Sequence, residues 1–183
     1  SLVGSEMCIR DRMNKELAPA ALADCKIENY EFTGREMTGA EWELAEFMHP
    51  WASYNRTVYV LEGNHVTLDA GTGCVHTAPG HGVDDFEVYK KYENEGKLKQ
   101  EVICPVDNKG RMTAEAGSFL EGKTVWEAEG PSISALAHEG MLLGKKSLHH
   151  QYAHCWRCKN PVIYRATEQL SLIHISEPTR LRR

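Results

Sequence analysis

The sequence predicts an α+β fold built on a barrel-like β-sheet with a few helices around it. Three observations predict it. Short runs rich in β-branched and aromatic residues recur, and Thr57-Val-Tyr-Val-Leu61 is the clearest. Turn signals such as Glu62-Gly-Asn64 and Asp107-Asn-Lys-Gly110 separate them at short intervals. Few stretches carry helical spacing, and Phe86, Tyr89 and Tyr92 mark the best of these.

The Ala/Leu-rich stretch Met13 to Cys25 predicts a helix that Pro19 breaks. Residues 26–48 alternate weakly and predict short strands, and Pro50 to Arg56 predicts a loop. Thr57–Leu61 and His65–Asp69 predict two strands joined by the 62–64 turn, a hairpin leading into the glycine-rich stretch that follows. Cys74, Val75 and Thr77 suit a strand, which Pro79, Gly80 and Gly82 break, letting the backbone approach a ligand closely. A helix is predicted from Asp84 to about Gly96, which terminates it. Val102–Cys104 predicts a short buried strand, and residues 111–123 a loop containing Gly117 and Gly122. Pro131 to Glu139 predicts a helix with proline at its first position and Gly140 just past its end. Leu142–Leu148 and Pro161–Tyr164 predict strands on either side of a cysteine knuckle.

The length of 183 residues suffices for one domain with a core. A hydrophobic content of 42% with 26% charged residues suits a soluble globular chain, and no apolar run approaches a membrane span. Nothing resembles a secretory signal. Residues 1–12 and 170–183 stand apart. Met7-Cys-Ile-Arg-Asp-Arg12 and Leu170-Ser-Leu-Ile-His174 can be encoded on opposite strands of one DNA segment, and Ser1–Glu6 matches Ser176–Arg180 likewise. Such an inverted repeat resembles translated transposon adapter, so these ends are expected to pack against nothing. They carry more basic than acidic residues, which leaves the intervening chain more acidic than the formal net charge of −5. That balance argues against a general nucleic-acid-binding surface. Cys25, Cys74, Cys104, Cys155 and Cys158 lie between the ends, an odd number at irregular spacing. They predict free thiols in a reducing cytoplasm rather than a disulfide framework.

The chemistry concentrates in Gly71-Thr-Gly-Cys-Val-His-Thr-Ala-Pro-Gly-His-Gly-Val-Asp-Asp-Phe86, where two histidines and two carboxylates share one loop between rigid elements. Asp85 suits either an anion for a cationic ligand or a first-turn carboxylate satisfying helix N–H groups. Asp84 suits the second role better. His76 suits a wall residue, and His81, between glycine and proline on one side and glycine on the other, suits a solvated loop residue. His76, His81 and Asp85 also have the types of a zinc hydrolase, though at no recognisable zinc spacing. Cys155-Trp-Arg-Cys158 supplies two of the four thiolates a structural zinc ion needs, with His149, His150 and His154 close in sequence. A zinc-ribbon binding module is therefore a second class of function, and a redox pair lacks the βαβ surroundings it requires.

The stretch from Gly71 to Phe86 resembles the editing-domain signature of isoleucyl-tRNA synthetases. His65-Val-Thr-Leu-Asp-Ala70 before it, Pro105-Val-Asp107 with Gly110-Arg111 after it, and His154-Cys-Trp-Arg-Cys-Lys159 with Tyr164-Arg-Ala-Thr167 follow that family's order. The resemblance covers roughly residues 13 to 169. It implies an incomplete editing domain of the valyl, isoleucyl and leucyl type over 13–148, and over 149–169 the cysteine knuckle and a return towards a catalytic domain. The implied reaction is hydrolysis of valine wrongly esterified to the tRNA for isoleucine. Asp85 then takes the substrate ammonium, His76 rejects cognate isoleucine, and Thr77 acts with them. Gly80, His81 and Asp84 bind substrate. The resemblance further implies a tRNA acceptor end and the remainder of the synthetase chain as partners, with no membrane. It implies a structural Zn2+ half-site at Cys155 and Cys158, with ATP and Mg2+ serving the parent enzyme elsewhere. No Thr-rich segment for a second pocket wall and no ATP-binding motif occur here, and Asn64 and Glu168 depart from the family pattern. A freestanding aminoacyl-tRNA deacylase is the alternative enzyme.

Overall fold

The computed structural model describes residues 12–51, 54–69, 71–147 and 151–167. The adapter-like ends lie outside these residues except for Arg12. Arg12 does not hang free as expected: its guanidinium lies 4.8 Å from the Trp42 ring centroid and 5.6 Å from that of Phe47. A planar cation stacks on any accessible aromatic face, whatever the origin of the sequence that carries it.

Helix α1 (Ala18–Asp24) begins at its proline instead of breaking there. Pro19 occupies the first turn, where its missing N–H would have had no acceptor. Ala18, Ala21 and Leu22 form the buried face. Helix α2 (Gly39–Trp42) is a single turn held by a capping box. The Glu41 N–H donates to the Thr38 hydroxyl, and the Thr38 N–H donates to the Glu41 carboxylate.

Strands β1 (Glu46–Met48) and β2 (Thr57–Tyr59) pair antiparallel, with Phe47 opposite Val58. The strand expected over 57–61 is thus present but pairs with the segment before it, not with 65–69. Residues 64–69 turn and bend instead, beginning with a Val66 N–H bond to the Gly63 carbonyl. The described residues form a mixed α and β fold with an open two-stranded sheet. Isolated bridges at Val106–Met112, Arg111–Thr124 and His154–Pro161 are the other pairings. Cys74–Thr77, Val102–Cys104, the described part of Leu142–Leu148 and Val162–Tyr164 run without a ladder. Their β propensity expresses fit to a pleated, half-buried surface, and no neighbouring strand supplies that surface here.

Helix α3 (Val83–Asn94) matches expectation, and Gly96 at φ +70° follows its end. Its buried residues Tyr89 and Tyr92 join Leu98 in a core flanked by Leu44, Tyr59, Leu61, Val88 and Val102. Tyr92 is fully buried, yet its hydroxyl accepts the Glu62 N–H at 2.9 Å. That bond fixes α3 to the chain leaving β2, and the Glu43 carboxylate is a second partner for the same hydroxyl. A second core gathers Ala116, Leu120 and Ala128 under Trp51 and Met112. Above it lies the expected 107–110 turn, where the Asp107 carboxylate accepts the Lys109 and Arg111 N–H groups at 2.7 and 2.9 Å. Helix α4 (Glu129–His138) starts two residues earlier than Pro131 suggested. Proline is tolerated as its third residue because the first four helical N–H groups have no intrahelical acceptor.

Candidate functional site

Ala78 is the pivot of the 74–85 loop. Its carbonyl accepts the His81 and Gly82 N–H groups at 2.8 and 3.0 Å, closing a tight turn. Its own N–H donates at 3.0 Å to Oδ2 of Asp85, in the first turn of α3. A first-turn carboxylate usually serves its own helix end; this one reaches back over it. Gly82 makes that possible, since a Cβ there would lie 2.6 Å from Asp85 Oδ2. The other oxygen, Oδ1, faces His65 Nε2 at 3.6 Å.

Gly80 is buried, and a Cβ on it would lie 2.4 Å from the Ile103 carbonyl oxygen. The close approach that requires glycine is therefore to the protein's own backbone, not to a ligand as the sequence suggested. The Gly80 carbonyl accepts the Ala166 N–H at 2.7 Å. His81 is held alongside it. A carbonyl can only accept, so the 3.0 Å contact between Nδ1 and the Tyr164 carbonyl places the proton on Nδ1. In the neutral ring Nε2 is then the acceptor that faces the Cys104 thiol at 3.8 Å. His81 is thus not a solvated loop residue. The segment beyond the cysteine knuckle grips the loop through both residues.

His76 is exposed and Thr77 half-buried, on the stretch leading into the turn. His49 lies within electrostatic reach of His76. Burial pushes the His49 imidazole below its usual pKa, and the charges of Arg56 and His76 add to the effect. His49 stacks on Tyr54 at 4.5 Å and takes the Trp51 N–H on Nδ1. Asp84 is exposed and lines a shallow cleft of about 340 Å³ with Glu62, His65, Glu87 and Lys91. The loop thus unites His76 through Asp85, with His76, Thr77 and Asp84 accessible and Gly80, His81 and Asp85 engaged internally.

No group of three His, Cys, Asp or Glu side chains among the described residues is placed to hold a metal ion. His76, His81 and Asp85 therefore do not assemble the zinc-hydrolase set. Cys155 and Cys158 form a separate turn in which the Cys155 N–H bonds to Asn160 and the Lys159 N–H to Cys155. N–H groups of Cys158 and Arg157, with the Cys158 side chain, hold the Cys155 thiol below its usual pKa. Two thiols so presented suit half of a tetrahedral thiolate site. His154 turns its Nδ1 to the Tyr152 carbonyl, while His149 and His150 lie outside the described residues. All five described cysteines are free.

No family model matches the chain. Known proteins do. The isoleucine–tRNA ligase of Caldicellulosiruptor bescii is 46% identical over 167 residues, 91% of this chain and 17% of that protein. The isoleucine–tRNA ligase of Symbiobacterium thermophilum is 50% identical over 133 residues, 73% of this chain and 13% of that protein. The chain belongs to the isoleucyl-tRNA synthetase family. It spans less than a fifth of the length of these relatives and so represents a fragment of such a synthetase.

Within this synthetase fragment, several residues that build the loop carried no sequence signal of their own. Ala78 and Ile103 act through backbone groups, which any side chain presents equally. Tyr164 and Ala166 likewise offer a carbonyl and an amide. His65 and His49 are the two side chains missed, and only His65 lay inside a family-like stretch.

Proposed function

We propose that this fragment carries the hydrolytic editing loop of its synthetase and acts on valine esterified to the tRNA for isoleucine. One methylene is worth about 1–3 kcal/mol in a pocket, a limit for which isoleucine-versus-valine selection by these enzymes is itself the standing example. A second, smaller site removes what the first lets through. The observation that carries the proposal is the clamped Ala78 turn, which leaves His76 exposed and Thr77 half-buried beside one carboxylate held in place, Asp85, and one exposed, Asp84.

In this reading the aminoacyl end of the tRNA lies across His76 and Thr77. The substrate ammonium is held by Asp85, with Asp84 adding negative charge from the cleft. His76 measures the side chain, and Thr77 positions ester and water, while Gly80 and His81 hold the loop in shape through their bonds to Ala166, Ala78 and Tyr164. Water adds to the carbonyl carbon, the carbon–oxygen bond to the ribose breaks, and the ribose oxygen takes the proton. The fold is the incomplete barrel-like editing domain, and the remainder of the synthetase chain supplies its other wall. The parent ligates isoleucine to tRNA with ATP and Mg2+ bound elsewhere in it, and resides in the cytoplasm. Among the described residues no helix is long and apolar enough to cross a membrane. Cys155 and Cys158 would hold half of a structural zinc site, which supplies a rigid cross-link and no chemistry at the loop.

The test is deacylation of Val-tRNA and Ile-tRNA by the full-length synthetase and its Asp85→Ala variant. Losing one partner of a desolvated charge pair costs about 2–5 kcal/mol, or roughly 30-fold to several thousand-fold in rate. Asp85→Ala should lose Val-tRNA hydrolysis by that factor with isoleucine activation intact. Val-tRNA hydrolysis at the parent rate would refute the assignment.

A further inference from the structure

We infer that His65 is a positioning residue for the Asp85 carboxylate; the functional consequence rests on the editing reading above. His65 Nε2 is buried and has no hydrogen-bond partner, and Asp85 Oδ1 faces it at 3.6 Å. That separation is slightly too long for a hydrogen bond, and a shift of a few tenths of an ångström closes it. Both side chains are largely covered, at 25% and 18% exposure. In the tautomer that carries its proton on Nε2, His65 presents a buried donor without a partner to a carboxylate oxygen facing it, and the two are placed to satisfy each other.

The space for the pair is built by two glycines. A Cβ on Gly63 would meet His65 Cε1 at 2.6 Å and Nδ1 at 2.8 Å, so that edge of the ring lies against the Gly63 backbone. A Cβ on Gly82 would meet Asp85 Oδ2 at 2.6 Å. Gly63 lies on the chain leaving β2 and Gly82 caps α3, so two elements open towards the same contact. His65 also lines the 340 Å³ cleft. Glu62, Asp84, Glu87 and Lys91 are the charged groups facing the ring across that cleft.

The geometry divides the labour at Asp85. One hydrogen bond, from the Ala78 N–H to Oδ2, orients the carboxylate about its Cβ–Cγ bond. A donor at His65 Nε2 adds a second restraint on that rotation, at Oδ1. Without it the carboxylate plane is set by one bond, and its Ala78 contact becomes intermittent.

Two substitutions separate this role from packing. His65→Leu keeps the apolar volume and removes the donor; His65→Gln keeps an N–H of similar reach and loses the ring. In the full-length synthetase, with isoleucine activation as the control for folding, His65→Leu should slow Val-tRNA hydrolysis about 10-fold to 100-fold, the scale of a hydrogen bond to a charged group. His65→Gln should stay within a few-fold of the parent. The Ala78 amide should exchange hydrogen faster in His65→Leu and not in His65→Gln. Equal losses in both variants, or a parent rate in His65→Leu with unaltered Ala78 exchange, would overturn the inference while leaving Asp85 its role. If instead Asp85→Ala edits normally, the editing reading fails. The Ala78 comparison, which needs no tRNA, then decides the pairing alone: faster exchange in His65→Leu upholds it, and no difference overturns it.

Discussion

Gly80→Ala is expected to damage the loop from within, not from the ligand side. The added Cβ would sit 2.4 Å from the Ile103 carbonyl oxygen, 3.2 Å from its carbon and 3.3 Å from Cys104 Cα. All three are backbone atoms, so no side chain can rotate away, and one of the two segments must move. Overpacking of this kind costs about 1–3 kcal/mol. Movement also strains the Ala166 N–H bond to the Gly80 carbonyl, now 2.7 Å, and losing it adds about 0.5–1.5 kcal/mol. The expected destabilisation is therefore about 2–4 kcal/mol, concentrated where residues 164–166 grip the loop. Urea unfolding reads the total, and hydrogen exchange at the Ala166 amide reads the location without any ligand. Unchanged stability with an unchanged Ala166 amide, and a loss confined to the KM for Val-tRNA, would refute this account and restore Gly80 as a ligand-facing residue.

Acid should loosen the 107–111 turn. The Arg111 and Lys109 N–H groups hold the Asp107 carboxyl below its ordinary value of 3.8, so the contribution is fully present above that value and is lost as pH falls through the lower folded one. Amide proton shifts of Lys109 and Arg111 should follow that transition, and the transition should vanish in Asp107→Asn. Cys155 should react with iodoacetamide at a lower pH than an ordinary thiol, and Cys158→Ala should only partly reverse this because the two backbone donors remain. Zinc should not protect Cys155 in this chain alone if two thiolates are all the site has; stoichiometric, chelator-resistant zinc would show that the nearby histidines complete it.

Much of the local structure was legible because it rests on side-chain pattern. Tyr89 and Tyr92 announce the buried face of α3, and Asp107 with Gly110 announces the turn they make. The pairing of β2 was not legible. Thr57–Tyr59 has the composition of a strand, but composition does not say whether Glu46–Met48 or His65–Asp69 lies beside it. The barrel-like sheet was likewise inferred from strand composition, and of it the described residues show an open pair of strands. Pro19 misled for a positional reason: the same ring that breaks a helix interior suits a first turn.

The loop shows the same division at finer scale. Two adjacent carboxylates at a helix start look interchangeable in sequence, yet they point to different neighbours. Asp84 is exposed on the cleft, and Asp85 turns back to the Ala78 amide and His65. A carboxylate committed to one backbone amide is poorly able to rearrange, which is a liability for a mobile ligand and an advantage for a site that must meet a charge at a fixed place. In the proposed editing reaction the carboxylate plane decides which oxygen meets the ammonium, so a second restraint at Oδ1 sharpens what the bond at Oδ2 begins. The functional weight placed on Asp85 therefore transfers in part to residues that never touch a substrate. Ala78 sets one oxygen through its amide, Gly82 admits the carboxylate, and Gly63 seats the ring that faces the other oxygen.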